Sequence, residues 1–150
     1  MKITAALIKE LRDKTNTSIS DCKKALEETN GDIEKAAKYL VKIGAEIMDK
    51  KKDRSTENGI IVSYIHSNKK IGVLLELVCE TDFVAKTDDF QNLGKELAMQ
   101  VAATNPSNVN DLLKQIYIRD ESLVVKDLLQ SAVSKIKENI KINKFVRYQI

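Results

Sequence analysis

Two runs rich in β-branched residues, GIIVSYIH (59–66) and IGVLLELVC (71–79), flank four turn-forming residues, SNKK (67–70). Strands joined that tightly pair antiparallel, because a parallel pair needs a crossover of about a dozen residues or more. A hairpin is therefore set near the middle of the chain, and the remaining segments must cover it. The second run ends at Cys79 and gives way to ETDFVAK (80–86), then to TDDF (87–90). An Asp-Phe pair placed where a buried strand leaves the core raises the question of what Phe83 faces.

Upstream of the hairpin the apolar period is helical. Ile3, Leu7, Ile8 and Leu11 form one stripe, with Thr4 as its N-cap. After the break at NTS, Ser18 and Asp21 have the spacing of a capping pair. The inward face of that second helix is read as Cys22, Ala25 and Leu26, with Ile19 beside them. NGD (30–32) stops one helix and starts the next: Gly31 suits the left-handed position and Asp32 the N-cap. Ile33, Ala36, Ala37, Leu40 and Val41 give the third stripe, which Gly44 is expected to end. Residues 1–48 thus read as a three-helix module. The charged stretch DKKKDRSTEN (49–58) reads as a linker or a frayed helix end. The sharper reading of Lys50, Lys51, Lys52 and Arg54 is a nucleic-acid patch, but no aromatic residue stands nearby to stack a base.

Downstream of the hairpin, Thr87 reads as the N-cap of a helix with Asp88 and Asp89 in its first turn, where the helix dipole favours negative charge. Phe90, Leu93, Leu97 and Val101 form its buried side, and Asn105-Pro106 ends it. VNDLLKQIYI (109–118) reads as a short helix, and Leu128, Leu129, Ala132, Val133 and Ile136 mark a last, longer one. In the tail, Ile140, Ile142, Val146, Tyr148 and Ile150 share one parity, which predicts a strand with those residues on a single face. The fold class is α+β: the helical module, then a core (59–150) with a roughly three-stranded antiparallel sheet packed on helices.

Several function classes are disfavoured. A net charge of +3 is too mild to argue for nucleic acid by itself. The opening MKITAALIKELRDK has no continuous apolar region of the signal-peptide kind, and no segment approaches the roughly 20 apolar residues of a membrane span. Two cysteines and one histidine cannot complete a tetrahedral zinc site in one chain, so buried free thiols in a reducing cytosol are expected. The five glycines are scattered and make no phosphate-cradling loop. A nucleophile pair of His66 with Cys22 or Cys79 lacks any sign of an activating environment. Glu80, Asp82, Asp88 and Asp89 could form a carboxylate dyad or a magnesium site, but helix capping accounts for Asp88 and Asp89. No cofactor is expected. Composition favours a buried Phe83, while the fresh helix start at Thr87 puts Phe83 on a turn separate from Phe90.

Three longer motifs occur in one order. ITAALIKELRDKTNTSISDCKKALEETNGDIEKAAKYL (3–40) contains DCKKAL (21–26) and NGDIEKA (30–36). CETDFVAKTDDF (79–90) is centred on Thr-Asp-Phe-Val, and KIKENIKINKFVRYQ (135–149) closes the chain. Together they resemble the elongation factor Ts family, the guanine nucleotide exchange factors of elongation factor Tu in bacteria and organelles. The resemblance implies a ubiquitin-associated-like opening module and a protein that makes and breaks no bond, so not an enzyme. It implies that Thr81, Asp82, Phe83 and Val84 press on the nucleotide-binding domain of elongation factor Tu. Phe83 then wedges between the partner's side chains and dislodges the magnesium ion beside GDP. It implies further contacts through Arg12, Ile19 and Ser20, and it reverses the expectation for Phe83, which should lie at the surface.

The chain departs from the family pattern in two places. TNTSIS (15–20) stands where the family has a glycine- and methionine-containing loop, and Ser20 replaces an apolar residue there. The coiled-coil hairpin and second core half of long members are missing, and the region of IRDESLVVKD (118–127) is shortened. A lost strand opens a sheet edge, which implies either a homodimer or a reduced exchange factor. The alternatives are a divergent member acting as a protein-binding adaptor, or an RNA-binding accessory using Lys50 to Arg54 with Lys141, Lys144 and Arg147. The expected location is cytoplasmic, with an organelle matrix left open; no direct nucleic-acid or membrane partner is expected.

Overall fold

The computed structural model describes residues 2–150. β1 (Asn58–Ile65) and β2 (Ile71–Cys79) form the hairpin, with Val62 opposite Leu75 and Ile65 opposite Gly72. The His66 N–H donates to the Ile71 carbonyl at 2.9 Å, and Lys69 closes the turn in the left-handed conformation (φ 58°). β3 (Lys141–Gln149) pairs antiparallel with the other side of β2, so the strand order is β1-β2-β3.

The expected face of β3 needs correction. Leu77 lies opposite Ile142, but Glu76 lies opposite Lys144, so Asn143 is an extra residue in the ladder. A bulge of one residue reverses the parity of everything beyond it. Ile142 and Phe145 therefore pack on the core, while Val146, Tyr148 and Ile150 are exposed. The Asn143 amide secures the bulge by donating to Glu76 Oε1 at 2.9 Å.

The inner face of the sheet is covered by helices. α4 (Asp82–Ala85) is a single turn after β2, and α5 (Asp88–Thr104) follows at once and lies on β1 and β2. Phe90, Leu97 and Val101 are fully buried beneath it. Thr87 caps α5, and Asn105 ends it at φ 47°, one residue before Pro106. α6 (Val109–Lys114) reaches β3, and α7 (Val125–Ile136) packs on α5 and α6. Gln100 is buried in this apolar layer because the irregular segment after α6 needs partners. Its Nε2 donates to the Ile116 carbonyl, and its Oε1 accepts from the Ile118 N–H, both at 3.0 Å.

α1 (Ala5–Thr15), α2 (Ile19–Glu28) and α3 (Ile33–Lys51) enclose a second cluster of Leu11, Cys22, Ala25, Leu26, Ala36 and Leu40. Thr4, Ser18 and Asp32 cap them as their sequences require. Ile19 does not join the inward face of α2; it is 60% exposed.

Gly44 does not end α3, which runs seven residues further to Lys51. The glycine serves a close approach instead: a Cβ there would stand 1.9 Å from the backbone oxygen of Gln130 on α7. Two effects oppose each other in Gly44→Ala. Helix propensity favours Ala by about 1 kcal/mol, but overpacking against backbone costs about 1–3 kcal/mol, with no flexible side chain to yield. The clash is expected to win, and urea unfolding should show a net loss of stability; a gain would mean α3 and α7 are further apart. No helix among the described residues is long and apolar enough to cross a membrane.

Candidate functional site

The turn after β2 sorts its side chains by the helical period. Thr81 Oγ1 accepts from the Val84 N–H at 3.2 Å and starts α4. Val84 and Ala85 fall on the inner side and join the core, at 8% and 2% exposure. Asp82 and Phe83 fall on the outer side, and Phe83 is 81% exposed. Seven residues on, Phe90 is fully buried. Of the four residues expected at this contact, Thr81, Asp82 and Phe83 are exposed and Val84 is turned inward, where it anchors the turn. Asp82 and Lys86, one helical turn apart, form an ion pair at 2.6 Å, and the Asp82 carboxylate raises the Lys86 pKa.

Two carboxylates tie this turn to the end of α7. Glu138 Oε1 accepts from the N–H groups of both Glu80 and Thr81 at 3.1 Å, and its Oε2 accepts from the Thr81 hydroxyl at 2.8 Å. Glu80 answers in the other direction: its Oε1 accepts from the Asn139 N–H at 2.7 Å. That bond, then the Arg54 guanidinium, holds the Glu80 carboxyl below its usual range. Asn139 is buried, and its amide donates to the Arg54 carbonyl at 2.9 Å. The connector between α3 and β1 is thereby fastened to the same cluster.

Arg12, Ile19 and Ser20 are all exposed. The first turn of α2, which carries Ile19 and Ser20, lies toward the same end of the molecule as Phe83. Asp21 pairs with Lys137 at 3.4 Å, and Lys137 directly precedes Glu138, which holds Thr81. Asn16 donates to Asp89, at the start of α5, at 3.2 Å.

Other candidate chemistry is not assembled. His66 follows β1 at the hairpin tip, where it bonds the Tyr64 hydroxyl at 3.1 Å, whereas Cys79 ends β2 at the opposite end of the sheet. Burial, then the Glu138 carboxylate, pushes the Cys79 thiol up to about 11, so it stays protonated at neutral pH. Each basic residue of the tail has a partner within the chain, although Lys141 and Lys144 remain exposed. The Arg147 guanidinium donates twice to the Ala102 carbonyl, at 3.1 and 3.0 Å, Lys144 pairs with Glu76 at 3.7 Å, and Lys141 donates to the Lys52 carbonyl at 2.9 Å.

Sequence reasoning missed Glu138 and Asn139 and gave Glu80 and Arg54 other readings. Their partners lie 57 to 59 residues away or in a different element, so no local spacing marks them.

A family model described as elongation factor TS matches residues 80–150, the segment that contains the Phe83 turn, Glu138 and all of β3. Elongation factor Ts of Fervidobacterium nodosum is 40% identical over 195 aligned positions, covering all of this chain and 99% of the relative. Elongation factor Ts of Thermosipho melanesiensis is 42% identical over 193 positions, covering 99% and 98%. The protein of that name from Thermotoga maritima is also 42% identical over 193 positions, covering 100% and 97%. Those alignments are longer than the 150 residues here, so the relatives carry segments this chain lacks. With whole-chain similarity at this level and the Thr-Asp-Phe-Val turn built as described, the chain belongs to the elongation factor Ts family.

Proposed function

We propose that the protein is the guanine nucleotide exchange factor of elongation factor Tu, acting in translation elongation. The observation that carries this reading is Phe83: a large apolar side chain, 81% exposed, on a turn whose backbone is held from both sides. An unpacked phenylalanine on a fixed mount favours a partner's pocket over the chain's own core. Asp82 and Thr81 flank it, and Arg12, Ile19 and Ser20 of the module formed by residues 1–48 supply a second contact at the same end. Val84 supports the contact from below.

The action is one of coupling and needs no chemical step. Phe83 enters the nucleotide-binding domain, displaces side chains there and dislodges the magnesium ion that neutralises GDP. Burying the side chain contributes about 1.5–3 kcal/mol. Directed into the distorted state of the partner, that corresponds to roughly ten- to a hundredfold faster GDP release. Coupling is reciprocal, so GDP must weaken the factor's binding by the ratio in which the factor weakens GDP. Titrations of elongation factor Tu should therefore give tighter binding to the nucleotide-free form than to the GDP form. Equal affinities for the two would contradict the reading, as would an effect untouched by excess magnesium.

The outer face of the sheet supports a homodimer. Ile61, Ile65, Leu74, Val146 and Tyr148 are exposed on it, around Glu76 and Lys144. A copy packed there about a twofold axis covers the apolar residues, with the Glu76–Lys144 pair inside the seam. Sedimentation should give twice the chain mass for the native protein and the single mass for Leu74→Lys; a native monomer at high concentration contradicts the dimer. The working location is the cytoplasm.

A further inference from the structure

We infer that Glu138 is a positioning residue for the Phe83 turn: its carboxylate sets the direction in which the exposed phenylalanine is presented. The inference rests on the reading of Phe83 as the group that enters the partner.

Lys137 adopts the left-handed conformation (φ 64°), which turns the chain back toward the end of β2. Glu138 then meets Glu80 and Thr81 after their ladder with β1 has run out, where two successive N–H groups would otherwise face solvent. It accepts from both, and from the Thr81 hydroxyl, with its two oxygens. Hydrogen bonds to an ionised acceptor are among the stronger ones available to a surface turn. Held by Glu138, the Thr81 hydroxyl oxygen is oriented to accept from the Val84 N–H and so begins α4. The turn's direction thus depends on one charged side chain 57 residues away, in the connection between α7 and β3. Burial of Val84 and Ala85 fixes the depth of the turn, but neither side chain bonds its two leading N–H groups. The reciprocal bond from Asn139 to Glu80, with Asn139 also holding the connector at Arg54, ties the same mount to the end of α3.

Two measurements separate this role from a general structural one. The chain has no tryptophan, so Phe83→Trp places a single optical reporter at the turn, readable without any partner. In that background, Glu138→Gln and Glu138→Ala are expected to lower the fluorescence anisotropy, while far-UV circular dichroism keeps the native helix content. Unchanged anisotropy in both variants overturns the inference. The second measurement is a double-mutant cycle on GDP release from elongation factor Tu. Glu138→Gln is expected to reduce the maximal acceleration by about tenfold when Phe83 is present, the size of losing one charge-assisted bond. In the Phe83→Ala background it should change the rate by less than twofold, because the group being positioned is gone. Equal losses in both backgrounds, or no loss in either, overturn the inference. If the native chain gives no acceleration at all, the exchange reading fails, and the anisotropy result alone decides whether Glu138 orients the turn.

Discussion

Phe90→Ala is expected to lower the free energy of unfolding by about 3–5 kcal/mol, the range for deleting a fully buried aromatic side chain. Phe90 is 0% exposed and sits in the first turn of α5, where that helix meets β1 and β2. Leu97, Leu75 and Leu77 of the same core cluster are themselves fully buried, so a cavity there is expected to collapse only by moving helix against sheet. Domains of this size have only about 5–15 kcal/mol in total, so the variant should unfold at clearly lower denaturant, by circular dichroism. A loss below about 1 kcal/mol would mean the site relaxes freely and that the helix-sheet seam is not the organising contact.

Phe83→Ala is expected to do the opposite: little to the fold and much to the activity. At 81% exposure the side chain leaves almost no cavity when removed, so the unfolding midpoint should stay near that of the native chain. The acceleration of GDP release should fall by roughly ten- to a hundredfold, the equivalent of one buried phenylalanine at the interface. Asp82→Ala removes the ion pair with Lys86 beside it and should fall in the same direction. An acceleration that survives both substitutions removes the wedge from the mechanism. The pair of variants is informative because the two phenylalanines stand seven residues apart, yet one is exposed on α4 and the other is buried in the first turn of α5.

Much of this was legible in the residues. The hairpin could be read from two β-branched runs and a short turn, and the helix starts from Thr4, Ser18, Asp32 and Thr87, because a cap is a bond between residues three apart. What failed was what depends on a neighbour. The parity of β3 is not legible because the bulge at Asn143 is defined by β2, not by anything in KINKFVRYQ. Gly44 reads as a stop because a glycine facing another helix's carbonyl looks the same in sequence as a glycine at a helix end. For the candidate site, periodicity showed only that Phe83 need not share a helix with Phe90. The motif resemblance supplied its exposure, which the structure matches at 81%. The carboxylate exchange between residues 80–81 and 138–139 left no local signal, because each half is an ordinary surface glutamate until the fold brings them together.

The central claim is tested most directly by the release of labelled GDP from elongation factor Tu, followed in time with and without a stoichiometric amount of the intact chain. The account expects release at least tenfold faster with the chain present, an effect carried largely by Phe83. Release at the same rate with and without it, from a chain shown to be folded, would contradict the account.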